Sequence, residues 1–476
     1  MTRPILFALC FLLACGELGP AAARAAALDA GAAATSAAGG AHAFAGALPG
    51  DTANGVPAPS LTAALRAAGV AESALTGSIH RRVLTGDVAE YSFQLRVGSG
   101  AHDVIGLHRV VRELAPFLPV PTARAIMMVH GDIWNFDQAF VASAAAPPGV
   151  VASNHALPIY LARHGIDVWG IDLRWSLVPA DTTDLSFMQT WGASTDAGDV
   201  STALVVARVT RLASGDGAAR IHLLGWSRGG ILAYLVANNE TQLPAALRQV
   251  AGLVPVDIFL HTDDEGVRLA SCARAAAEQA QIDAGVYAAT SGELFASLGS
   301  LAVTAPGDPS PIVPGVTNLQ AALLAGSATY QFLPPDQVFV PSYHFTGGTF
   351  DGSGLPTGLT YTPAAAWFSF MGNTSPFESE KVLADTDAVL CGGAPPGGDH
   401  LAAITVPVLF VGAGGGIGSY GVYTTTLLGS HDVTTHVVQL QPAADRALDI
   451  GHVDIFNATD APTLFWQPIL TWLQSH

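Results

Sequence analysis

Residues 221–230 read IHLLGWSRGG and place Ser227 between Gly225 and Gly229. A serine hydroxyl is a poor nucleophile until it is held facing a base, and a sharp strand-to-helix turn does this. Glycines two before and two after the serine let the backbone pack closely at such a turn. The pattern alone is weak in a chain with 51 glycines. Its context carries more: an apolar strand enters at 221–224 and a helical pattern leaves over 229–239. An ordinary turn serine is the competing reading. A second stretch, AIMMVHGDIWN at 125–135, ends a strand in His130-Gly131, where backbone N–H groups can point into a cleft. Acyl transfer needs such donors for the developing oxyanion. The N–H groups of Asp132 and Arg228 are the expected pair, with Gly131 and Ile133 competing for the first place. His130 is read as a structural histidine of that loop. Trp134 and Trp226, beside the two turns, are the expected substrate contacts. A third stretch, DIGHVDIF at 449–456, precedes the final helix and offers His452 as general base.

These residues need elements that bring them to one edge. Alternating patterns at 89–97 and 103–111 predict strands of a half-exposed sheet edge. Runs apolar on both faces follow at 125–129, 166–171, 221–224, 250–256 and 406–411, then a last strand at 433–440, as expected of central parallel strands. Helical patterns lie between them at 158–164, 199–213 and 229–239, with a last one at 461–474. Strand and helix alternate, so the fold class is α/β. The alternation breaks at about 264–399, a Pro/Gly-rich stretch with a local helix at 274–280 and aromatic clusters. The sheet pattern resumes at 406, so this stretch reads as an inserted cap. The predicted organisation is a first core part at 76–264, a cap or lid at 265–400 and a last core part at 401–476. Tyr361, Trp367, Phe368, Phe370 and Phe377 either line an apolar pocket or make the cap's own small core.

The order Ser227 then His452, with a histidine-glycine turn upstream, resembles the α/β-hydrolase superfamily of serine hydrolases. LARHGIDVWGIDLRWS at 161–176 is similar to that family's helix, strand and Asp-Leu-Arg turn. The resemblance covers about 124–264 and 401–476. It implies a mostly parallel central sheet flanked by helices and a serine, acid and histidine in that chain order, without a cofactor. It also implies an esterase or lipase-like hydrolase acting on a small-molecule or lipid ester. Substrate detail does not follow from fold. The family most often carries its acid just after the next-to-last strand, yet the loop there, 412–418, holds no carboxylate. A minority of relatives place it one strand earlier, which here is Asp257. Asp449 and Asp454, flanking the histidine, are the next candidates. Asp432 precedes the last strand and falls at the wrong end, while 263–265 reads as a solvated loop face.

The glycine run at 412–418 fits neither a dinucleotide fingerprint nor a phosphate loop, so a flexible turn beside the cleft is expected. No metal-site spacing stands out. The 476 residues carry a net charge of −18 and are 50% apolar but only 12% charged, about half the usual charged share. Ample core material excludes a disordered chain, and the negative field excludes nucleic acid as the expected partner. The apolar run at 4–15 is too short to span a bilayer and fits a secretory signal over 1–27, followed by an Ala/Gly-rich lead-in over 28–75. Leu12–Gly16 resembles a lipobox, which would put a lipid anchor on Cys15. The expected location is secreted, periplasmic or at the cell envelope. There Cys272 and Cys391 are candidates for one intrachain disulfide. An amidase, peptidase or acyltransferase would use the same residues. A non-catalytic envelope binding protein is the alternative from another class.

Overall fold

The computed structural model describes residues 76, 78–141, 152–333 and 340–476. The expected leader over 1–27, with Cys15, and the lead-in over 28–75 lie outside the described residues. The apolar runs form one sheet. Its strands are β1 (His80–Thr85), β2 (Val88–Arg96), β3 (Val104–Ala115), β4 (Arg124–Val129), β5 (Ile166–Asp172), β6 (Ile221–Trp226), β7 (Val250–Val256), β8 (Val408–Ala413) and β9 (Val433–Val438). They lie in the order β1-β2-β3-β5-β4-β6-β7-β8-β9, and a two-residue strand, Leu118–Pro119, pairs with β3. The pairs from β1 to β5 are antiparallel, and every pair from β5 to β9 is parallel. All residues of β5 and β6 are buried, as central strands covered on both faces should be.

Three helices return the chain between parallel strands: α1 (Leu157–Arg163), α2 (Ala193–Ser214) and α3 (Arg228–Glu240). The α2 helix begins six residues before the pattern at 199. Its first turns hold Asp196, outside the expected helix, and Asp199, at its expected start, and both are buried acceptors. Asp199 takes two bonds from Arg174, 2.6 and 2.8 Å, and Asp196 takes one from the Trp175 indole at 3.3 Å.

Between β7 and β8, neighbours in the sheet, the described residues of 257–407 add no strand to it. This segment carries α4 (Glu265–Asp283), α5 (Ser291–Thr304), α6 (Asn318–Ser327), α7 (Ala364–Gly372) and α8 (Glu380–Leu390), with two small two-stranded sheets. Asp264 caps α4 by accepting from the Val267 N–H at 3.0 Å, so part of the expected solvated face at 263–265 has a structural task. The α4 and α8 helices pack together and are joined by a disulfide between Cys272 and Cys391. The chain closes with α9 (Gln467–Ser475). Among the described residues no helix is long and apolar enough to cross a membrane.

One strand expectation is corrected. β1, not β2, takes the sheet edge, and although Ser92, Gln94 and Arg96 alternate as partly exposed residues, other polar positions of β2 and β3 do not. Two of these, Glu90 and His108, are buried in an ionic chain. His108 Nδ1 meets Glu90 at 2.6 Å and its Nε2 meets Asp172 at 3.0 Å. Two carboxylate partners require both ring nitrogens to donate, and they raise the His108 pKa well above the ordinary value despite the opposing effect of burial.

Candidate active site

β6 ends at Trp226 and α3 begins at Arg228, so Ser227 alone turns the chain. Its backbone stands at φ 55° and ψ −133°, a region that costs on the order of 1–3 kcal/mol for a residue with a side chain. Ile133 (φ 56°) and Asp257 (φ 49°) are likewise left-handed, so three of the five such non-glycine residues among those described serve this end of the sheet. The turn is possible because Gly131 lies against it. A Cβ there would stand 2.7 Å from Ser227 Cβ and 3.2 Å from the Trp226 carbonyl.

Asp257 follows β7 directly. Its Oδ2 lies 2.7 Å from His452 Nδ1 and accepts from the Ile417 N–H at 3.0 Å. Its Oδ1 accepts from the N–H groups of Ala413 and Gly418, at 2.9 and 2.8 Å. The glycine run is therefore a cradle of amides around this carboxylate. Gly416 has to lack a side chain: a Cβ would strike Asp257 Oδ2 and lie 3.2 Å from His452 Cα. Sequence reasoning missed this role because backbone amides leave no side-chain signature.

The Asp257 bond assigns the His452 proton to Nδ1 and leaves Nε2 as an acceptor. That Nε2 is buried and has no hydrogen-bond partner among the described residues. The ring stacks on Trp226, the residue before Ser227, with centroids 4.9 Å apart and an interplanar angle of 28°. The 452 loop is held by the intervening segment. The His452 N–H donates to the His344 carbonyl at 3.1 Å and the Val453 N–H to the Phe345 carbonyl at 2.7 Å. Tyr343 and Phe345 rings stand 5.4 and 6.2 Å from the His452 ring. None of these supports was singled out from sequence, although the aromatic cluster that contains them was visible.

The other acid candidates are occupied elsewhere. Asp449 Oδ1 accepts from the N–H groups of Leu440 and Ile450, both at 2.8 Å. Asp454 accepts from the N–H groups of Gly347 and Gly451 and from the Thr362 hydroxyl. Burial pushes the Asp454 carboxyl up to about 7.

The two expected oxyanion residues pair through their side chains. Arg228 Nε donates to Asp132 Oδ1 at 2.6 Å and Nη2 to Oδ2 at 3.2 Å. The Arg228 N–H opens α3, where a helix leaves its first amides without intrahelical acceptors. His130 holds the loop: Nδ1 lies 2.9 Å from the Gly131 carbonyl, and Nε2 accepts from the Leu173 N–H at 3.2 Å. Burial lowers its pKa.

Trp134 donates its indole N–H to the Phe370 carbonyl at 3.1 Å and packs on the rings of Phe370 and Trp226. Of the other four aromatic candidates, Trp367 bonds the Ala322 carbonyl, Tyr361 reaches the Leu448 carbonyl, and Phe368 and Phe377 are buried in the core. Ser227 is 7% exposed and His452 1%, so the site is closed over as it stands. Among the described residues one group, Glu90, His108 and Asp137, brings metal-ligand atoms within 4.8 Å of one another. The Arg82 guanidinium already lies on both carboxylates, 2.7 Å from Asp137, and fills a cation's place.

Strand order, the left-handed serine turn between β6 and α3, and an aspartate and histidine joined beyond β7 and β9 are those of the α/β-hydrolase fold, and the chain has that fold. It is similar to the solved structure of a lipase candidate from Sulfolobus solfataricus, at 18% identity and a TM-score of 0.55, over 83% of this chain and 98% of that one. An esterase from Thermogutta terrifontis matches at 12% identity and a TM-score of 0.38, over 84% of this chain and 99% of that one. A thioesterase domain from the curacin biosynthetic pathway matches at 13% identity and a TM-score of 0.36, over 84% and 100%. No family model matches the chain, and no curated protein does.

Proposed function

We propose that this chain is an exported serine hydrolase that cleaves carboxylic esters. The observation that carries the reading is the Asp257–His452 contact of 2.7 Å, which leaves an unpartnered imidazole nitrogen stacked over the residue before Ser227. His452 takes the Ser227 proton as the hydroxyl attacks the ester carbonyl. The N–H groups of Asp132 and Arg228 stabilise the oxyanion, and the alcohol leaves with the proton from His452. Water activated by the same ring then releases the acid from the acyl-enzyme. Asp257 keeps the ring in its tautomer and stabilises the imidazolium. Catalytic hydrogen bonds often tighten only once substrate is bound, which fits an Nε2 that waits without a partner.

The segment between β7 and β8 acts as the cap, and Trp134 and Trp226 meet the substrate when it opens. A disulfide within that segment suits an oxidising compartment, which supports export. A fluorophosphonate probe tests the chemistry. Labelling of the native protein, lost in Ser227→Ala, is expected together with turnover of p-nitrophenyl esters. Folded wild-type protein that neither labels nor turns over would leave a binding module as the reading. A series of esters of increasing acyl length then separates a lipase-like preference from one for acetate.

A further inference from the structure

We propose that Asp387, carried by the intervening segment, is a positioning residue for the two oxyanion donors and acts through the Arg228 guanidinium. The inference rests on the ester-hydrolase reading and adds a residue that touches neither substrate nor the serine.

The two residues assigned as donors are the same two whose side chains form a two-point ion pair. The spacing of their backbone segments is therefore set by a planar guanidinium and a carboxylate, a geometry with little freedom. The remaining nitrogen of Arg228, Nη1, points away from Asp132 into the segment. It bonds the Thr386 hydroxyl and lies 3.4 Å from Asp387 Oδ1. Asp387 is held by a second guanidinium, with Arg274 Nε and Nη2 at 2.9 and 2.7 Å. Arg274 lies on α4 and Asp387 on α8, the helices tied by Cys272–Cys391. A rigid plate outside the sheet thus grips the residue after the nucleophile.

Charge balance gives Asp387 its weight. Glu378 and Glu278 also belong to the cluster, and burial pushes Glu378 well above the carboxylate range and Glu278 to about 9. Glu278 keeps its proton at neutral pH, and Asp387 is the carboxylate that faces both guanidiniums, with Arg228 Nη1 at 3.4 Å and Arg274 Nη2 at 2.7 Å. Without the Asp387 charge, Arg274 loses the carboxylate that meets its Nε and Nη2 in a buried place, and the cluster would have to rearrange. Displacements of about 1 Å at such donors cost on the order of 100-fold in rate. A purely structural ion pair predicts lower stability with unchanged chemistry in the folded fraction. A positioning pair predicts a loss confined to the transition state.

The test is Asp387→Asn in the full chain, with Thr386→Val as a milder variant should the first fail to fold. Thermal unfolding, kcat and KM for a p-nitrophenyl ester, and affinity for a trifluoromethyl ketone that mimics the oxyanion are measured together. For Asp387→Asn, kcat is expected to fall about 10- to 100-fold with KM within about threefold, and ketone affinity to weaken in parallel with kcat. Thr386→Val should show the same split at smaller size. Arg228→Lys should resemble Asp387→Asn, because one ammonium cannot bridge Asp132 and α8. A folded Asp387→Asn with wild-type kcat and ketone affinity, whatever its melting temperature, overturns the inference alone. A wild type that neither labels with fluorophosphonate nor hydrolyses ester removes the ester-hydrolase reading and this inference with it.

Discussion

Asp257 offers an unusually strict test of its own role, because both of its oxygens meet donors. Oδ2 faces His452 Nδ1 and the Ile417 N–H, and Oδ1 faces two further amides. In Asp257→Asn, either amide orientation sets an NH2 group against two N–H donors or turns the imidazole to its other tautomer. Turnover should drop about 10⁴-fold, read as kcat on a p-nitrophenyl ester. Wild-type turnover in the folded variant would remove Asp257 from the mechanism. Asp454 is tested by pH. The unfolded carboxyl releases its proton near its ordinary 3.8 and the folded one near 7, so between these values the folded chain holds an extra proton. Stability from this group is thus greatest below about 4 and declines by up to about 1.4 kcal/mol per pH unit as pH rises to about 7. The melting temperature of Asp454→Asn should fall less from pH 5 to pH 7 than that of wild type. At this scale the candidate residues were legible: Ser227, at the strand-to-helix turn, from its glycines and context, and His452, the partner of Asp257, from its place before the last helix. Asp257 could be named from its strand end, but Asp449 and Asp454 stayed open because a sequence does not show which carboxylate meets the imidazole.

Elements with uniform patterns were read closest to their bounds, and β7 spans the expected 250–256. The departures share a cause. Polar residues of β2, β3 and the start of α2 carry buried ionic networks, and a buried carboxylate looks like a surface one until its arginine or histidine is known. The disulfide joins two helices across 119 residues of chain. On the chain-entropy model, closing so long a loop stabilises by about 4–5 kcal/mol before any strain. Cys272→Ala/Cys391→Ala, or reduction of the wild type, should therefore lower the melting temperature by many degrees. An unchanged melting temperature in oxidised and reduced samples would show that the bridge contributes nothing to the resting fold.

Taken as a body, the molecule keeps its negative excess while several arginines pair with carboxylates in its interior. The net charge is −18 with only 20 basic side chains. Arg82, Arg109, Arg174, Arg211, Arg228 and Arg274 are turned inward onto carboxylates. An anionic ester should then show a lower kcat/KM than its neutral analogue at low ionic strength, and the gap should narrow several-fold between about 0.01 and 0.5 M salt. A salt-independent ratio would place the entrance outside the negative field. The backbone bonds between 344–345 and 452–453 have a practical consequence for anyone redesigning this scaffold. The intervening segment is not a detachable module to be grafted or exchanged whole, because its stretch around 341–347 is spliced into the histidine's own loop. Chimeras whose crossover points leave those residues with the parental sheet should keep a working base, and those that replace them should lose it even when the transplanted helices fold.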